Sequence, residues 1–90
     1  MGKQRNGPLN RSTPLLDLHG QRLEGLEDQV DRFLMQAHRQ GSTEIRIMTG
    51  KGSGQVRAAV QKYLRLGGYT YRYETLPNGS QNDGIMIVVV

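Results

Sequence analysis

The sequence predicts a two-layer α/β sandwich, an α+β arrangement of a four-stranded mixed sheet with two helices on one face, in the order β-α-β-α-β-β. Three observations predict it. Two segments, 23–37 and 56–64, repeat apolar residues at steps of three and four, which gathers them on one stripe of a helix. Four other segments are short and either alternate or run apolar, as strands do. The two kinds of segment take turns along the first two thirds of the chain, the arrangement of β-α-β units.

Residues 1–14 hold Gly7, Pro8 and Pro14 and show no periodicity; they read as a flexible tail. Leu15 to Leu18 is a brief apolar run interrupted by Asp17 and closed by Gly20, a short strand. The first helix carries Leu23, Leu26, Val30, Phe33, Leu34 and Ala37 on one stripe and Glu24, Asp28, Arg32 and Arg39 opposite. Gly25 falls inside this pattern and weakens its first turn, and Gly41 is the expected stop.

Glu44 to Thr49 alternates and is rich in β-branched residues, so a second strand is predicted. A glycine-rich loop, Gly50 to Gly54, leads into the second helix, whose stripe is Val56, Ala59, Val60, Tyr63 and Leu64. Gly67 and Gly68 end it. Tyr69, Tyr71 and Tyr73 alternate with polar residues, the period of a strand. Pro77 to Ser80 and Asn82 to Gly84 carry turn chemistry. Ile85 to Val90 is apolar on both faces, as a doubly buried central strand is.

Each β-α-β crossover is expected to be right-handed, which places both helices on one sheet face. The final strand returns through a turn-rich loop and so runs antiparallel. Its apolar character puts it inside the sheet, giving the order 1-2-4-3 with the second face partly open. The predicted domain is residues 15–90.

Composition excludes several classes. The absence of cysteine rules out disulfides and cysteine-ligated zinc. No apolar run nears the roughly 18–20 residues that span a bilayer, and the basic start lacks the apolar stretch of a secretory signal. A cytoplasmic protein without a membrane partner is expected.

The formal charge of +4 is unevenly placed. Lys3, Arg5 and Arg11 stand in the tail without an acid. Residues 15–44 hold three basic against six acidic residues. Residues 45–73 carry Arg46, Lys51, Arg57, Lys62, Arg65 and Arg72 and no acid. If the fold keeps that segment together, it makes a basic surface that attracts phosphate backbones; a lopsided solvated surface is the plainer alternative.

Chemistry concentrates at two places. In Asp17-Leu18-His19-Gly20, strand alternation puts Asp17 and His19 on one face and Leu16 and Leu18 on the other. The leucines suit the helix side, so the acid and the imidazole project from the open side at the carboxyl end of the first strand. Crevices form there in open α/β sheets. The second strand ends at Thr49, where Gly50, Lys51, Gly52, Ser53 and Gly54 begin a loop whose backbone can approach a ligand closely and which opens into a helix N-terminus, favourable for anions. The loop lacks the early glycine of a Walker A motif.

Phosphodiester cleavage fits these groups. His19 is the candidate general acid or base, Asp17 its orienting partner, and Lys51 with the loop amides the stabiliser of transition-state charge. Arg46, Thr49, Gly50, Lys51, Gly52, Ser53, Arg57, Lys62 and Arg72 are the candidate nucleic-acid contacts. The bland readings are a hydrogen-bonded turn at Asp17 and His19 and a tight connection at Gly50. His38, late in the first helix, suits the helix dipole. The tyrosine series could stack bases, but cross-strand packing is the favoured reading. No metal ligand set is predicted; magnesium or manganese is compatible with the chemistry but nothing in the sequence indicates either.

Leu16-Asp17-Leu18-His19-Gly20 resembles the LDLHG motif that opens Smr (small MutS-related) domains, and Thr49-Gly50-Lys51-Gly52 resembles their TGxG loop. The resemblance covers about residues 15–90. It implies a fold similar to the C-terminal domain of translation initiation factor 3, and nicking or endonuclease activity, or binding, on DNA or RNA. Members of that family act on branched or recombining DNA or cleave messenger RNA at collided ribosomes. The family's acid and histidine fall on Asp17 and His19, and its glycine loop on Gly50, Lys51 and Gly52. The expected function is therefore a nucleic-acid-binding domain that cuts phosphodiesters; the alternatives are a non-catalytic module for nucleic acid or the ribosome, and a protein adaptor.

Overall fold

The computed structural model of the protein describes residues 13–50, 52 and 54–90. Six elements follow one another: β1 (Leu15–Asp17), α1 (Leu26–Arg39), β2 (Glu44–Met48), α2 (Gln55–Leu66), β3 (Thr70–Thr75) and β4 (Gln81–Val89). They form one sheet of order β1-β2-β4-β3. β1 and β2 are parallel, and β4 is antiparallel to both β2 and β3. The predicted fold class, element order and sheet order are all observed. Most of the predicted tail, residues 1–12, lies outside the described residues.

Alternation sorts the strands onto two faces. Ile45 and Ile47 of β2, Met86 and Val88 of β4 and Leu18 just after β1 meet Leu26, Val30, Leu34 and Ala37 of α1 and Val60 and Leu64 of α2 in one buried cluster. Both helices therefore cover the same face. Burying each large aliphatic side chain contributes about 1.5–3 kcal/mol, so Leu34→Ala in the middle of α1 would cost about 2–5 kcal/mol. Tyr69, Tyr71 and Tyr73 pack against this cluster, which supports the packing reading of the tyrosine series. Ile87 points to the other face, in register with Arg46 and Arg72, and is only 3% exposed, whereas Val89 on that face is 44% exposed, so the second face is covered at Ile87 and open beyond it.

α1 starts later than its apolar stripe predicts. Gly25 has φ 77 and stands as the N-cap; that left-handed conformation cannot continue a helix and suits glycine, which has no Cβ. Leu23 is thereby left outside the helix and 49% exposed. Glu27 and Asp28 in the first turn and His38 and Arg39 in the last match the helix dipole.

A second correction concerns Asn82 to Gly84, predicted as turn and found inside β4. The turn is confined to the preceding residues. Leu76 and Ser80 close it, with the Leu76 amide 2.8 Å from the Ser80 carbonyl, and Asn78 Oδ1 accepts the Ser80 amide at 2.9 Å. The turn-like composition beyond it marks a bulge. Tyr73 pairs with Met86 and Glu74 with Asn82, so residues 83–85 have no partner on β3. Bulges of this kind bend a strand and re-aim its groups, often beside functional sites.

Candidate active site at the carboxyl ends of the first two strands

β1 is only three residues long, yet its pairing with β2 runs one step further, since the Leu18 amide donates to the Met48 carbonyl at 2.7 Å. This bond holds Leu18 in the core and turns Asp17 and His19 outward together. Gly20, at φ 73, reverses the chain at once, and the Gln21 amide closes the turn on the Leu18 carbonyl at 3.1 Å. His19 is thus fixed at the end of a strand rather than in a free loop.

The two side chains meet. His19 Nδ1 lies 2.5 Å from Asp17 Oδ1, and the same oxygen accepts the His19 main-chain amide at 3.1 Å. Two donors on one carboxylate favour its ionised form; the His19 side chain and then its amide hold the Asp17 carboxyl below the ordinary 3.8. His19 Nε2 has no hydrogen-bond partner among the described residues, and the His19 side chain is well exposed.

The glycine loop is anchored from beneath. The β4 bulge presents the Gly84 carbonyl, which accepts the Thr49 amide at 2.8 Å and the Gly50 amide at 3.2 Å. The Gly84 amide in turn donates to Asn82 Oδ1 at 3.1 Å, and Asn82 Nδ2 donates to Glu74 Oε1 at 3.1 Å. Gly50 has φ 80, and a Cβ there would stand 3.2 Å from His19 Cβ. Glycine suits this left-handed backbone and lets the loop lie close against His19. Beyond it, Gly54 at φ 87 starts α2 without a side-chain cap, and the first turn of α2 has no acid.

Between these segments lies a cleft of about 650 Å³, lined among others by His19, Arg22, Leu23, Gly50, Gly52 and Val56. The structure therefore brings together Asp17, His19, Thr49, Gly50 and Gly52. Thr49 borders the cleft but is largely buried, its hydroxyl 3.5 Å from the Gly84 carbonyl, so it also supports the loop. Lys51 and Ser53 lie outside the described residues.

The remaining predicted contacts are dispersed. Arg57, in the first turns of α2, pairs with Asp83 of the bulge at 3.1 Å. Lys62 borders a separate groove between α1 and α2 with Glu27 and Asp28. Arg46 and Arg72 rise from the open sheet face. Arg72 pairs with Glu44 at 3.1 Å, and Arg46 Nε is buried without a partner among the described residues. The single basic surface expected of residues 45–73 is thus divided, because α2 turns its cations around its axis and the strand cations face away from it. Arg22 and Leu23 were not among the predicted site residues. Their position directly after His19-Gly20 was the available signal, but Leu23 fits the helix stripe and Arg22 reads as surface charge. His38 Nε2 sits 3.4 Å from the Tyr69 hydroxyl, tying the end of α1 to the start of β3. Among the described residues no group of three or more acid or histidine side chains gathers as a metal site, and no helix is long and apolar enough to cross a membrane.

Comparison with known proteins gives a consistent result. A family model described as the Smr domain matches residues 16–90. Endonuclease MutS2 of Acetivibrio thermocellus is 33% identical over 73 residues, covering 81% of this chain and 9% of that protein. Endonuclease MutS2 of Latilactobacillus sakei is 34% identical over 73 residues, again 81% of this chain and 9% of the relative. The crystal structure of the Smr domain of Thermus thermophilus MutS2 superposes with a TM-score of 0.71 at 27% identity, covering 86% of this chain and 96% of that one. The chain thus spans about a tenth of the length of the full MutS2 relatives and nearly all of the excised domain.

Proposed function

The chain belongs to the Smr domain family, and from that premise we propose that it binds nucleic acid at the cleft beside His19 and cuts a phosphodiester there. The observation that carries the reading is the contact of His19 Nδ1 with Asp17 Oδ1 at 2.5 Å, which leaves Nε2 as the working nitrogen on the cleft side. Asp17, held ionised, accepts the hydrogen bond from Nδ1–H and so favours the tautomer in which Nε2 is an acceptor. Nε2 then takes the proton from the attacking oxygen, a water or a ribose 2′-hydroxyl, as that oxygen bonds to phosphorus. The bond to the leaving oxygen breaks in the same displacement, that oxygen takes a proton from solvent water, and the imidazolium returns its proton to solvent.

The loop beside the imidazole supports charge on the transferring phosphate. Gly50 and Gly52 bring backbone close to the cleft, and the uncapped start of α2 has no acid to repel an anion. Lys51, between these glycines in sequence, adds a full positive charge. Arg57 supplies a further cation near the loop, and Arg46 and Arg72 offer contacts for nucleic acid that continues over the open sheet face; Lys62 is the outlying member of the set. The relatives named endonuclease support the same chemistry.

The test is direct. The purified protein is incubated with end-labelled single-stranded RNA, duplex DNA and branched DNA, with and without magnesium or manganese, beside a His19→Ala control. Cleavage by the parent and not by the control is expected. Equal cleavage by both would remove His19 from the chemistry. Salt-sensitive binding without any cleavage would favour the binding-module reading, for which Arg46, whose Nε has no partner among the described residues, is the specific observation.

A further inference from the structure

The side of the cleft facing the glycine loop is built from the residues between Gly20 and Gly25, and none of the chemistry above uses them. Arg22 is exposed, lines the cleft and has no acidic partner among the described residues. This distinguishes it from Arg32, Arg57 and Arg72, each of which is paired with a carboxylate. Leu23 beside it is 49% exposed although it is a large aliphatic residue. It borders the same cleft as Val56 of α2. The chain on either side of Arg22 is tied to α1. Gln21 Oε1 accepts from Gln29 Nε2 on α1 at 3.4 Å, and the Leu26 amide donates to the Leu23 carbonyl at 3.2 Å.

We propose that Arg22 and Leu23 are positioning residues that seat one unpaired nucleotide in the cleft, Arg22 on a phosphate and Leu23 with Val56 against the base or sugar. The inference rests on the cutting reading for the identity of the ligand and deepens it by naming what the cleft admits. A cation next to an apolar shelf matches a nucleotide, which joins an anion to a flat, weakly polar ring. The volume of about 650 Å³ is in the range of pockets for single small ligands, far below what a duplex occupies. A base in a duplex is stacked on both faces and cannot lie on a side chain unless it is extruded. An unpaired base offers its face freely, and side-chain stacking of this kind tolerates any sequence.

Binding is measured in the His19→Ala background, where the proposed chemistry is off, with a labelled single strand of about 12 nucleotides, in ribo and deoxyribo form. The same strand is compared as a duplex and with single abasic positions. The strand should bind at least about tenfold more tightly than the duplex, with one abasic position costing several-fold. Leu23→Ser should abolish the abasic penalty and Leu23→Met restore it. Arg22→Gln should lower the slope of log affinity against log salt by about 0.7, the value for one lost phosphate contact on a single strand, and Arg22→Lys should keep it. Both side chains are exposed, so unchanged thermal unfolding is expected and separates these effects from misfolding. Equal binding of strand and duplex, or an abasic penalty and salt slope unmoved by the two variants, overturns the proposal. If these differences hold while the parent cuts nothing, the seat stands and the cutting reading falls. If the parent cuts through His19 and the differences are absent, the reverse is true.

Discussion

His19 Nδ1 and Asp17 Oδ1 stand 2.5 Å apart, and the backbone amide of His19 donates to the same oxygen. A carboxylate that orients an imidazole acts only through it. His19→Ala should therefore lower the cleavage rate by about 10²–10⁴-fold, the usual weight of general acid–base catalysis. Asp17→Asn keeps the shape and an acceptor oxygen, so its loss should be smaller, about 10–100-fold. The double variant should be no slower than His19→Ala alone, since the two residues work as a unit. Initial rates of all three decide it, and multiplying losses would show that Asp17 has a separate role.

The same geometry predicts how Asp17 titrates. Its carboxyl is held below 3.8, first by the His19 side chain and then by the His19 amide. A carboxyl lowered by folding stabilises the folded state above its ordinary value, and that stabilisation is lost as pH falls through the lowered one. A carboxyl-detected NMR titration should place the Asp17 midpoint under 3.8 in the parent. In His19→Ala it should rise only part of the way back, because the amide of residue 19 still donates. A midpoint unchanged by the substitution would mean that the backbone alone sets it.

Much of this arrangement is written in local pattern. Strand alternation alone puts Asp17 and His19 on one face, and the run Ile85 to Val90 declares an interior strand of the sheet. What the pattern conceals depends on backbone conformation and on distant partners. Leu23 satisfies the helical spacing, and only the left-handed Gly25 expels it into the cleft wall. Asn82 to Gly84 has turn composition because a bulge also needs residues that tolerate irregular backbone, and its use, holding Thr49 and Gly50 through one carbonyl, spans 35 residues of sequence. The dispersal of Arg57, Lys62 and Arg72 follows from which side of α2 or of the sheet each occupies, and a charge count along the chain carries no such direction.

Gly50 and Gly79 separate backbone strain from contact. Both have positive φ, 80 and 88, but a Cβ at Gly50 would stand 3.2 Å from His19 Cβ while one at Gly79 meets nothing within 4 Å. Alanine at either position should destabilise the fold by about 1–2 kcal/mol through the left-handed backbone. Only Gly50→Ala should also displace the imidazole and cut the cleavage rate, by about tenfold or more. Denaturant unfolding and cleavage assays on the pair read the two effects separately. A Gly79→Ala variant that loses as much activity would attribute the loss to stability.

Arg57 is held by the bulge, its guanidinium 3.1 Å from Asp83 Oδ2 and 3.5 Å from the Asp83 carbonyl. Asp83 therefore competes with any phosphate for that cation. Removing the charge by Asp83→Asn should tighten nucleic-acid binding at low salt by about two- to fivefold, the scale of a partly exposed ion pair. The gain should shrink as salt is raised. Weaker binding in this variant would instead assign Asp83 to holding Arg57 in its working position.

Far from the cleft, Tyr63 of α2 donates its hydroxyl to Asp31 Oδ1 of α1 at 2.6 Å. Burial first, and then the bond to Asp31, push its phenol up to about 12. A group raised in this way stabilises the folded state fully below its unfolded value, near 10, and that contribution is lost as pH climbs from there to about 12. Tyr63→Phe should cost about 1 kcal/mol at neutral pH by removing the hydrogen bond. It should also flatten the alkaline fall in stability relative to the parent, so that the two proteins converge as pH approaches 12. Urea unfolding of parent and variant from pH 8 upward, at about one-unit steps, reads the difference without interference from the other titrating groups, which both proteins share. Parallel curves would show that the Tyr63 phenol ionises no differently in the folded and unfolded chain, and that the Asp31 contact does not couple the two helices.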